Sequence, residues 1–125
     1  MGELELHIEA AGEAEVFADA ARAFGELLSE DEPVAGAPET RRVAATGRDR
    51  AALLAGFLEE LIFLAEMEGF VPGALEDLAL SDGAVEARVS GRRGEPPHLV
   101  KAVTHHRLAF EPAAGGWRAS ALLDV

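Results

Sequence analysis

The sequence predicts a single α+β domain over residues 1–125, with two helices packed on a largely antiparallel, mixed β-sheet. Three observations carry this expectation. Apolar and polar residues alternate at the start of the chain. Two stretches with helical apolar spacing follow in the first half. The second half is a run of strand-like segments broken by turn residues, with no internal repeat, low-complexity segment or domain boundary. A chain of 125 residues that is 49% hydrophobic can bury one core and is globular by composition. With six Phe, one Trp and no Tyr, that core is built mostly of Leu, Val and Ala.

Leu4, Leu6, Ile8 and Ala10 alternate with Glu3, Glu5, His7 and Glu9, the period of a strand with one buried face. From Ala14 to Ser29, Phe17, Ala20, Ala21, Phe24, Leu27 and Leu28 form a helical stripe. The run Ser29-Glu30-Asp31-Glu32-Pro33 ends it, and Val34 to Glu39 reads as a loop. Thr40 to Ala45 is expected to be a short strand. Asp49 can N-cap a helix over Arg50 to Glu68, and Gly69 supplies its stop. Leu54, Phe57, Leu58, Leu61, Ile62 and Ala65 share one face of that helix.

A Pro72-Gly73 turn is expected next, then strands Leu75 to Ser81 and Ala84 to Ser90 joined through Asp82-Gly83. Gly91 to Pro97 reads as a polar loop. A long strand from Leu99 to Phe110, a Gly115-Gly116 turn and a terminal strand complete the chain. Unbroken alternation along Leu99 to Phe110 puts Val100, Ala102, Thr104, His106, Leu108 and Phe110 on one face. Lys101, Val103, His105 and Arg107 then share the other.

Composition excludes several functions. A net charge of −12 repels phosphate backbones, so no direct nucleic-acid binding is expected, while basic protein partners suit the surface. The absence of cysteine removes disulfides, thiol nucleophiles and thiolate zinc sites. Met1 to Glu5 lacks the pattern of a signal peptide. Glu59, Glu60, Glu66 and Glu68 interrupt the most apolar run, so no membrane span is expected and a cytoplasmic location is. Phosphate-binding loops, the His-Glu-x-x-His zinc motif and the Gly-x-Ser-x-Gly nucleophile are all missing.

What chemistry there is gathers late in the chain. Lys101, the only lysine, stands four residues before the paired His105 and His106. Taken alone, Lys101 and His105 read as an exposed, solvated pair. His106 reads as a core histidine bonded to a backbone carbonyl.

Val100-Lys101-Ala102-Val103-Thr104-His105-His106 resembles the Val-Lys-Ala-Val-Thr-Tyr-His strand of the archease family. Gly116-Trp117-Arg118-Ala119 and Leu122-Leu123-Asp124-Val125 resemble that family's Trp-containing last strand and its Leu-Asp-Val/Ile ending. The helix around Leu53-Leu54-Ala55-Gly56-Phe57-Leu58-Glu59-Glu60-Leu61 is similar to its Leu-Leu-x-x-Trp-Leu-Asn-Glu-Leu helix, and Phe17 with Ala20 to Ala23 fits its first helix. The likeness runs in order over nearly the whole chain.

The resemblance implies a protein cofactor, not an enzyme, that binds an RtcB-type RNA ligase. It would promote that ligase's GTP-dependent guanylylation and multiple turnover in tRNA splicing and RNA repair. It also implies a divalent-metal site, assigned in the family to calcium, to which Asp124 and Val125 carry over. Glu3 stands where the family has the metal-binding Asp, and the family's preceding His-Thr-Ala has no counterpart in this sequence. Glutamate offers the same hard oxygen donors on a side chain one methylene longer. Lys101, Thr104 and His106 carry over as partner-contact residues. His105 replaces a Tyr, Glu59 an Asn and Gly56 an acidic residue, and His98 lies in a loop where the family carries a histidine. Two alternatives stand beside this reading. One is a small hydrolase or transferase using His105 or His106 as general base beside Lys101 or Asp124. The other is a diverged binding module that kept the fold and lost the site.

Overall fold

The alternation at the N-terminus becomes β1, Glu3–Ala10, in a computed structural model that describes residues 2–29 and 35–125. The order continues as α1 (Glu13–Ser29), β2 (Pro38–Thr46), α2 (Arg50–Glu68), β3 (Phe70–Leu80), β4 (Ala84–Arg93), β5 (Ala102–Ala113) and β6 (Gly116–Asp124). The expected α+β class is therefore observed, with one refinement. The strands form two antiparallel three-stranded sheets, ordered β1-β6-β5 and β2-β4-β3. Each sheet is a hairpin, β5–β6 or β3–β4, to which a strand from the first half has been added. Helix α1 packs on β1 and β3 and α2 on β2 and β5, so each helix touches both sheets.

One cluster of buried side chains accordingly draws on both helices and both sheets. The helices meet through Phe17 and Phe57, whose rings pack edge to face at 5.4 Å. Phe17 also stacks toward Phe110, and Phe110 toward Trp117, each at 5.8 Å, carrying the aromatic contacts into β5 and β6.

The caps of α2 are the expected ones. Asp49 accepts a hydrogen bond from the Ala52 N–H, and Gly69 takes the left-handed φ of +68° while its N–H closes on the Ala65 and Leu64 carbonyls. Arg41 fastens the end of this helix to β2. Its guanidinium pairs with Glu39 at 2.8 Å and Glu68 at 2.9 Å and lies over the Phe70 ring. The hydrogen bond to Glu68 and the nearby charges outweigh burial and raise the Arg41 pKa above its already high ordinary value.

Several boundaries differ from expectation. The helix α1 ends at Ser29 as expected, while residues 30–34, which hold most of the helix-ending run and the first residue of the expected loop, lie outside the described residues. Pro38 and Glu39 belong to β2, not to a loop. No turn forms at Pro72-Gly73, because β3 runs straight through and absorbs the irregularity in register shifts at Pro72/Ala74 and Leu75/Asp77. As β3 is an edge strand, Pro72 can lack an N–H without breaking a ladder. Strand β4 continues to Arg93, taking Gly91, Arg92 and Arg93 out of the expected loop. The β3–β4 hairpin does turn at Asp82-Gly83, closed by the Ser81 N–H on the Ala84 carbonyl at 2.9 Å. Neither turn residue has positive φ, however, so it is not a primed turn. The left-handed residue of the β5–β6 turn is Gly115, with φ +77°, and Gly116 already belongs to β6.

The largest correction concerns β5. It begins at Ala102, so Leu99, Val100 and Lys101 precede it. It also bulges: its pairing with β6 passes from Thr104↔Leu122 directly to Ala109↔Ser120. Five steps along β5 thus oppose two along β6, leaving three extra residues. An odd insertion reverses the alternation. Val103 and Phe110, expected on opposite faces, both turn toward the core, opposite the buried Leu123 and Ala119.

Candidate functional site

Asp124 closes the central strand of the β1-β6-β5 sheet, and its register places it between Glu3 of β1 and Ala102 of β5. Residues directly opposite in antiparallel strands project from the same face with Cβ atoms about 5 Å apart. Glu3 and Asp124 are therefore side-chain neighbours. Their face is the one turned from the core, since the alternating set Leu6, Ile8, Ala119, Ala121 and Leu123 is buried. Glu3 is exposed and Asp124 half-buried. On the other flank Ala102 ends at its Cβ, so no long side chain rises beside Asp124 from β5.

The main chain fixes this end of the sheet. The Val125 N–H donates to the Gly2 carbonyl at 3.0 Å, and the Gly2 N–H to the Val125 oxygen at 3.3 Å. The Lys101 N–H donates to the Asp124 carbonyl at 2.8 Å. The backbones of Gly2, Lys101, Asp124 and Val125 are thus locked together, although Lys101 lies just outside the strand expected to carry it. Like charges directly opposite on a ladder are mutually unfavourable, and carboxylate oxygens suit a hard divalent ion. Among the described residues no group of three or more His, Asp and Glu side chains converges on one point. Among the described residues, the oxygens at this end include the two carboxylates and the Val125 main-chain oxygen.

The remaining candidates are placed by the β5 bulge. His106 is exposed and not in the core, because the reversal of alternation lifts it off the apolar face. His105 is also exposed, and its Nε2 lies 3.8 Å from Glu59 of α2. His105 and Glu59 are two of the positions that depart from the archease pattern, and the fold brings them together. The Ser120 hydroxyl donates to the Arg107 carbonyl at 3.0 Å, tying the bulge to β6, and Arg107 takes a φ of +60°. Thr104 Oγ1 is buried with no hydrogen-bond partner among the described residues. His98 donates its N–H to the Leu28 carbonyl at 3.4 Å, which anchors the loop before β5 to α1.

The contact between His105 and Glu59, and the network around Arg41, escaped the sequence reading. Both join residues far apart in the chain, and neither has a local pattern that could have revealed it.

The sequence profile of the Archease protein family matches residues 2–125. Protein archease of Methanosarcina mazei is 33% identical over 120 residues, covering 89% of this chain and 82% of the relative. Protein archease of Methanosarcina acetivorans is 31% identical over the same length and coverage. Protein archease of Thermococcus kodakarensis is 33% identical over 96 residues, 70% of this chain and 68% of the relative.

Proposed function

Because the chain belongs to the archease family, we propose that it binds an RtcB-type RNA ligase and promotes that ligase's GTP-dependent guanylylation and repeated turnover in tRNA splicing and RNA repair. The observation that carries this reading is the register of β1 on β6, which sets Glu3 directly opposite Asp124. Glutamate at position 3 thereby supports the role the resemblance gives to an aspartate. In this proposal Glu3, Asp124 and the Val125 main-chain oxygen hold a divalent cation, calcium being the family's ion. Bound there, the cation would offset the carboxylate charge and present a positive centre to the partner.

The protein's own residues do the rest. Lys101, whose backbone is tied to Asp124, brings the chain's only lysine to the edge of the site. Thr104 and His106, on β5 beside it, serve as further partner contacts. The strongly acidic surface favours a basic, RNA-handling protein over RNA itself. In this role the chain is a cofactor for another enzyme. The general-base alternative gains no support, since the acidic neighbour of His105 is Glu59 and not Asp124.

The test is guanylylation and multiple-turnover ligation by the RNA ligase of the same cell, with and without this protein. A rise in both rates is expected; no rise in either at saturating protein would refute the proposal.

A further inference from the structure

Against the other sheet, a groove of about 660 Å³ lies between α2 and the Asp82-Gly83 end of β2, β3 and β4. Small and apolar groups line it, among them Ala45, Gly56, Leu80 and Val85. Glu59, Glu60 and Glu86 also line it, all three exposed. Glu86 is paired with Arg42 at 2.7 Å, and Glu59 has only the more distant His105 beside it. Glu60 has no ion-pair partner among the described residues. Gly56 is central to the room available. A Cβ at this position would meet the Ala45 Cβ at 3.3 Å, so only the Ala45 methyl stands between the helix and β2 here.

We propose that this groove receives an arginine- or lysine-rich segment of the protein partner. This rests on the reading of the chain as the cofactor of a basic enzyme, and it adds a second contact that shares no residue with the metal-binding end. The chemistry is that of amphipathic cations. Their aliphatic stems cover apolar surface while the charged head stays at a wet rim. Here the small residues offer the apolar surface, and Glu59 and Glu60 offer carboxylates that a guanidinium meets with paired hydrogen bonds. An acidic occupant would be repelled from the same rim.

The test uses the full chain, labelled with ¹⁵N, and a capped hexapeptide of alternating arginine and leucine as probe. Saturable amide shifts confined to 44–46, 56–60 and 79–86 are expected. The double variant Glu59→Gln/Glu60→Gln, altered only at exposed positions, should weaken binding about fivefold at low salt. Gly56→Leu should abolish it by filling the groove. Three results would each overturn the proposal: no saturable shift in these segments, equal shifts along the acidic β1 strand, or unchanged affinity in the double variant. Self-association through the same residues without peptide would overturn it too. Ligase activation without groove binding would refute the groove alone, and groove binding without activation would refute the ligase-activator role alone.

Discussion

Thr104 shows how much a single residue can decide. Its hydroxyl is buried without a partner among the described residues, and such a group forfeits its water hydrogen bonds on folding. Thr104→Val keeps the shape and removes that cost, so thermal or urea unfolding should show about 1 kcal/mol of added stability. If the variant also loses ligase activation, the hydroxyl serves the partner and not the fold. Its neighbours teach a related lesson. That Lys101, Thr104 and the two histidines lie close along one stretch was legible in the sequence. Their directions were not. Strict alternation assigns His106 to the apolar face, but three extra residues between Thr104 and Ala109 reverse the count. A bulge of that kind is set by what the partner strand and the covering helix require, and no local residue pattern announces it.

At the scale of elements, the two helices were read almost to the residue, because their stripes and stops are local. Asp49, Gly69 and the interval between them specify α2 with little help from the rest of the fold. Asp49→Ala should therefore cost about 1 kcal/mol in unfolding free energy. Gly69→Ala should cost at least about 1 kcal/mol, since a Cβ there is strained at φ +68° and collides with the Gly94 carbonyl. Both losses are measurable by urea denaturation, and neither variant should lose ligase activation while folded. The strands were harder to delimit. Pro72-Gly73 has turn composition yet sits inside β3, which tolerates it only as an edge strand with a shifted register. Whether a Pro-Gly pair turns the chain or bends a strand depends on which strand lies beside it, and that is tertiary information.

For the whole molecule, the sequence revealed two helices and several strands but not their division into two sheets. Partner choice among β-strands is non-local, and the periodicity of a strand is the same in either sheet. The division has a mechanical consequence. Both helices touch both sheets, and Phe57, fully buried, meets Phe17 at the centre. Phe57→Ala should cost about 3–5 kcal/mol, and both sheets should unfold together when followed by hydrogen exchange. One sheet surviving the loss of the other would contradict a shared core. Among the described residues no helix is long and apolar enough to cross a membrane.

The same architecture sets the carboxylate pair at the rim of one sheet, where strands from the two ends of the sequence meet. The measurement that tests this most directly is ligase guanylylation at saturating protein, comparing the unaltered chain with Glu3→Gln and Asp124→Asn. Each variant is expected to fold with stability within about 1 kcal/mol of the parent, to bind calcium more weakly and to lose most of the activation. Full activation by Asp124→Asn, with its calcium binding lost, would contradict a role for the carboxylate pair.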